Sequence, residues 1–179
     1  TQTQINRVNM PMYTLINLAA PVVLYAVIAR WGHHADLVGS IKILRVVAPL
    51  FGIIPLLWIV NQHPLYLIGV EMLSGFLWAG FNLCSSNFIM DAVTPEKRTR
   101  CIAYFHVING AALALGAFCG GHIIAFLPVL KGHRILALFA ISALLRIIIG
   151  LIAPLKLKEV RPVERVSHQE LLFSMIGVK

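Results

Sequence analysis

The 179 residues are 59% hydrophobic and only 12% charged, with 15 Lys and Arg against 7 Asp and Glu. A soluble domain is typically about 45–50% apolar and about 25% charged, and disorder needs low hydrophobicity, so neither a water-soluble globule nor a disordered chain fits. The net charge of +8 would suggest nucleic acid in a soluble protein; here the basic residues lie between long apolar runs, which points to membrane topology and to no nucleic-acid partner.

A membrane-crossing helix needs about 20 mostly apolar residues. In chain order the candidate spans are Val8–Ala29, Val46–Pro64, Leu65–Met90, Cys101–Leu130 and Ile135–Leu155. The first, second and fourth carry no charge, the third carries only Glu71, and the fifth only Arg146. Lys42 and Arg45 can snorkel at the start of the second. The fourth run would be about 45 Å long at 1.5 Å per residue, so it must tilt or project beyond a hydrocarbon core of about 30 Å. Pro21, Pro49 and Pro55 fall inside spans and are candidate kink positions. Thr94-Pro95 reads as an N-cap followed by proline at the first position of the fourth helix.

The prediction is an all-α polytopic bundle of five transmembrane helices over residues 1–157, followed by a basic tail over 158–179. Within the tail, Ser167-His168-Gln169-Glu170 has capping-box spacing before an apolar stretch, which reads either as a short interfacial helix or as a frayed terminus. Sorting the loops by side places eleven Lys and Arg on one face of the membrane and three on the other. The positive-inside rule then puts the tail in the cytoplasm and the N-terminus outside. The default location is the cell membrane, or the inner membrane of a bacterium, with lipid as a partner. An outside N-terminus without a visible signal sequence is simplest if further membrane helices precede Thr1.

Three cysteines, Cys84, Cys101 and Cys119, all in or beside apolar runs and without a CxxC pair, suggest neither a disulfide framework nor a metal site. No H-E-x-x-H, G-x-S-x-G or pair of intramembrane aspartates appears, so enzymatic chemistry, metal and cofactor are not expected.

Two loops carry recognisable patterns. Gly32-His33-His34-Ala35-Asp36-Leu37-Val38-Gly39-Ser40-Ile41-Lys42 resembles the G-x-x-x-D-[RK]-x-G-[RK]-[RK] loop of the major facilitator superfamily. Gly32, Asp36 and Gly39 fall in place, whereas Leu37, Ser40 and Ile41 replace the basic positions. Asp91-Ala92-Val93-Thr94-Pro95-Glu96-Lys97-Arg98-Thr99-Arg100 is similar to the loop before the second-to-last helix of those proteins, and a glycine-rich helix follows it. The resemblance covers residues 8–157 and implies helices eight to twelve of a twelve-helix transporter, within its C-terminal half. It further implies secondary transport of a small solute by alternating access, with the missing N-terminal helices and the solute as partners. Gating would involve Gly32, Asp36, Gly39, Asp91 and Arg98; for the charged members the alternatives are a solvated turn, helix capping and topology.

Polar residues inside a membrane are expensive and default to functional candidates. In the third span Glu71, Ser74, Trp78, Asn82 and Ser85 recur at helical spacing. Trp78 and Asn82 are candidates for holding a solute, and Glu71 for carrying a coupling proton or, alternatively, for lying at the outer interface in water or a salt bridge. His106 and Asn109 in the fourth span, and Tyr13 and Asn17 in the first, are further solute-binding candidates, with packing as the alternative. Arg146 lies mid-depth, where a charge costs about 2.5–3.5 kcal/mol on insertion scales, and is read as structural. The sequence is also compatible with two other functions. One is a free-standing membrane scaffold or assembly protein. The other is a haem-binding redox protein, since His106 and His122 share a helix.

Overall fold

A computed structural model describes residues 2–130 and 132–157, with side chains from residue 10 onward. The tail over 158–179, and with it the capping-box segment, lies outside the described residues. The elements are α1 (Gln2–Val38), α2 (Ser40–Leu50), α3 (Ile53–Val60), α4 (Pro64–Ala92), α5 (Pro95–Ile123) and α6 (Arg134–Ile152), with short 3-10 turns at Ile124–Phe126 and Ala153–Lys156. Five helical stretches are long and apolar enough to cross a membrane, α2 and α3 together forming one of them.

The ends differ from the apolar runs. The first helix does not stop at Ala29 but continues to Val38, so Gly32 and Asp36 of the expected loop lie on helix. No proline falls between Arg30 and Val38, and the single Gly32 costs only about 1 kcal/mol relative to alanine, so the helix continues through it. The chain turns at Gly39, whose φ of 95° is the left-handed region that glycine tolerates. The second span is interrupted at Phe51 and Gly52. Pro55 has no N–H to donate to the Phe51 carbonyl, and its ring crowds that carbonyl, so the ladder breaks there. Gly52 N–H instead closes a tight turn onto the Pro49 carbonyl at 3.1 Å. Thr94 and Pro95 do begin α5, with the N-cap residue extended and proline at the first position.

Within a bilayer the lipid is as apolar as leucine, so helices are held together by close packing and polar contacts rather than by exclusion of water. α1 and α4 run in parallel and form the most extensive contact, while α6 lies against α2 and α3. Small residues permit the approach. A Cβ on Gly75 would fall 2.1 Å from the Ala20 carbonyl oxygen, and one on Gly150 would fall 2.6 Å from the backbone of Ala48. The most buried side chains gather where α1, α2 and α4 meet, among them Trp31, Ile41, Ile43, Val47, Leu77 and Cys84. The Trp31 indole N–H donates to the Phe76 carbonyl at 3.0 Å. Arg45 on α2 donates to the carbonyls of Pro154 and Leu157, fastening the end of the last span.

α5 is set apart. It has no buried residue, and its contacts with α4 are few. Gly116 faces open space, whereas a Cβ on Gly120 would fall 3.7 Å from the Leu138 side chain of α6.

Candidate functional site

The separation of α5 leaves a cavity of about 610 Å³ between α2, α4, α5 and α6. α4 contributes Trp78, Phe81, Ser85 and Phe88, which recur at three- and four-residue spacing and so share a face. α2 adds Leu44, Ala48 and Phe51; α5 adds Phe105 and Leu113; α6 adds Arg146, Ile149 and Gly150. Pro154 and Leu157 close the end nearest the α1–α2 turn.

Part of the wall is an aromatic cluster. The Phe51 and Trp78 rings are 4.8 Å apart, and Phe81 stands edge-on to both at 5.4 and 5.8 Å. Such tilted and edge-to-face contacts suit the ring quadrupoles. Trp78 lies about 21 Å along α4 from either end of that helix, and Arg146 lies about 18 Å from the start of α6, at 1.5 Å per residue. Both therefore stand near mid-depth. Among the described lining residues Arg146 is the one charged side chain, and Ser85 brings the one hydroxyl.

The polar stripe of α4 divides between core, cavity and exterior. Ser74 is buried, Trp78 and Ser85 face the cavity, and Asn82 is exposed outside it. Glu71 is half-buried near the opposite end, where the Trp58 indole of α3 hydrogen-bonds its carboxylate. It is thus joined to α3 and does not line the cavity with Arg146.

A match to the family model "Major Facilitator Superfamily" covers residues 7–174. The chain belongs to the major facilitator superfamily. Comparison with curated proteins gives no match, and neither does comparison with solved structures. Major facilitator proteins are membrane transporters, so membrane transport is the general activity that this membership supplies.

The other candidate residues of this facilitator chain are dispersed. Tyr13 and Asn17 are exposed on α1, with the Asn17 amide donating to the Tyr13 carbonyl at 2.8 Å, a contact within one helix turn. His106 and Asn109 are exposed on α5; the His106 ring packs edge-on to Phe105 at 5.7 Å. Asn109 lies between Phe105 and Leu113 at successive turns of the face that borders the cavity. Asp36 is exposed in the last turn of α1, and Asp91 is half-buried in the last turn of α4. Arg98 donates to the Met90 carbonyl at 3.1 Å, a cation satisfying the C-terminal end of a helix.

The sequence points neither to the aromatic wall as a whole nor to the cavity beside Arg146. The wall was legible in part, since Trp78, Phe81, Ser85 and Phe88 have the spacing of one helix face. Phe51 and Phe105 come from other helices and had no such signal. Arg146, expected from its depth to be structural, lies on the cavity wall and is its one charged side chain among the described residues.

Proposed function

We propose that this chain works in secondary active transport of a small solute by alternating access, as the last five spans of a twelve-span carrier. Family membership over residues 7–174 is the observation that carries the reading. The chain supplies one wall of a solute path, and rocking of the two halves about a mid-membrane site exposes that site to each side in turn. Trp78 and Asn82 on α4, with Tyr13, Asn17, His106 and Asn109 on neighbouring helices, offer rings and amides to the solute. Glu71 is the coupling carboxylate of this reading, since an intramembrane acid can carry a proton along with the solute.

The turn at Gly39 and the turn at Val93-Thr94 lie at the same end of the bundle, because α1 and α4 run in parallel and each ends there. Gly32, Asp36, Gly39, Asp91 and Arg98 cluster in sequence around these turns. Contacts among such charges and helix ends form when that face closes and break when it opens. Eleven of the fifteen Lys and Arg fall on the side that holds these turns and the tail, which supports a cytoplasmic C-terminus in a cell or inner membrane.

The native size tests the placement within a larger carrier. An antibody against residues 159–179, used on source membranes, should detect a band of about twice the 19.8 kDa of this chain. A single band near 20 kDa would oppose the twelve-span reading and favour a free-standing five-helix protein.

A further inference from the structure

Arg146 is a permanent cation held near the middle of a span, and among the described residues it makes no hydrogen bond or ion pair. Among the described residues no carboxylate lines the cavity it borders. A guanidinium at that depth calls for an anion, and its planar fork fits a carboxylate through two parallel hydrogen bonds. Around it the wall is apolar, with Phe51, Trp78, Phe81, Phe88 and Phe105 offering ring faces and edges. Ser85, two turns along α4 from Trp78, can donate a further hydrogen bond. The volume of about 610 Å³ falls in the range of about 300–1,000 Å³ usual for small-molecule sites.

We propose that the cavity between α2, α4, α5 and α6 binds an organic carboxylate with an apolar or aromatic body, its acid group paired with Arg146 and its body against the Phe51–Trp78–Phe81 cluster. An organic cation is repelled by Arg146, and a neutral isostere forgoes the charge-assisted pair. A very polar acid, such as a sugar acid, leaves its hydroxyls against phenyl rings and binds poorly. The same chemistry is available from water, as an aromatic acid, and from the bilayer, as a fatty acid that enters beside α5. The inference rests on the transporter reading for what becomes of the bound acid; binding itself is separable from transport.

The test uses the full-length protein purified into lipid nanodiscs, with 2-naphthoate as probe and the neutral 2-naphthamide as its matched control. Calorimetry should show saturable naphthoate binding, with the amide weaker by at least about tenfold, the scale expected of a lost charge-assisted pair. Arg146→Gln should remove that preference and leave amide binding unchanged. Leu113→Trp, which fills the cavity and leaves Arg146 in place, should weaken both ligands. Competition by oleate would mark the bilayer as a source of the acid, and binding indifferent to oleate would mark the aqueous phase. Equal affinities for naphthoate and naphthamide would overturn the proposal. So would an Arg146→Gln protein that still prefers the acid. Naphthoate binding without flux in vesicles would leave the site standing and remove the carrier reading.

Discussion

The Trp31 indole nitrogen donates to the Phe76 carbonyl at 3.0 Å, and the ring occupies the space that Gly80 leaves one turn further along α4. A Cβ on Gly80 would fall 2.8 Å from Trp31 Cε2. One aromatic side chain thus ties α1 to α4 by a polar contact and by shape together. Trp31→Phe keeps a ring in the gap and loses the hydrogen bond. It should cost about 1 kcal/mol. Gly80→Val forces the ring out and should cost about 1–3 kcal/mol. Thermal unfolding of purified protein measures both, and a Gly80→Val protein as stable as the parent would contradict this packing.

The glycines of the bundle differ in what surrounds them, and substitution should separate them. Gly75 and Gly150 lie against the backbones of Ala20 and Ala48, which cannot swing aside as a side-chain end can. Valine at either position should lower the melting temperature and the yield of monodisperse protein, at a cost of about 1–3 kcal/mol. Gly116 has open space beside it. Valine there should be neutral or slightly stabilising, because glycine is the poorer helix former. The comparison across the three variants is the readout, and equal losses at all three would show that α5 packs as tightly as α4.

Arg45 reaches from the start of α2 to the Pro154 and Leu157 carbonyls, at 3.2 and 3.0 Å. These carbonyls end the last span, where the Pro154 oxygen also accepts from the Leu157 N–H at 3.3 Å. Arg45→Gln shortens the side chain and drops the charge. Faster amide exchange is expected in peptides covering residues 150–157, with α1 peptides unchanged. Unaltered exchange at the α6 end would mean that the contact contributes nothing to its order.

Trp58 and Glu71 couple α3 to α4 through an indole and a carboxylate. Glu71→Gln retains an acceptor oxygen, so the protein should fold and solute exchange should persist. Gradient-driven accumulation should be lost, because the amide cannot carry a proton. Glu71→Ala removes the acceptor as well and should be less stable than Glu71→Gln. Accumulation that survives in Glu71→Gln would remove the coupling role and leave the carboxylate as an element of helix contact.

The five spans were legible because a bilayer demands about 20 apolar residues wherever a helix crosses it. Their ends were not, because hydropathy reports where lipid stops and not where a helix does. Arg30, His33, His34 and Asp36 leave the apolar run without leaving the helix, and the chain turns only at Gly39. The break at Phe51 was foreshadowed by Pro55, a local effect of one missing N–H. The cavity was hidden for a different reason. Its wall draws on four helices, and the α4 stripe of Glu71, Trp78, Asn82 and Ser85 contributes Trp78 and Ser85 alone. Helical spacing says which residues share a face; which neighbour that face meets depends on the packing of α2, α5 and α6 around it.

Alternating access can be tested without knowing the solute. Asn82 is exposed on α4, about 15 Å from its C-terminal end at 1.5 Å per residue. The full-length protein carrying Asn82→Cys, with Cys84, Cys101 and Cys119 replaced by alanine, would be reconstituted in one orientation. A membrane-impermeant maleimide would then be added to either side of sealed vesicles. A carrier that rocks about this wall predicts labelling from both sides, with a bound solute or an imposed gradient speeding one and slowing the other. Labelling from one side only, at a rate that neither changes, would contradict the account and leave a static membrane scaffold in its place.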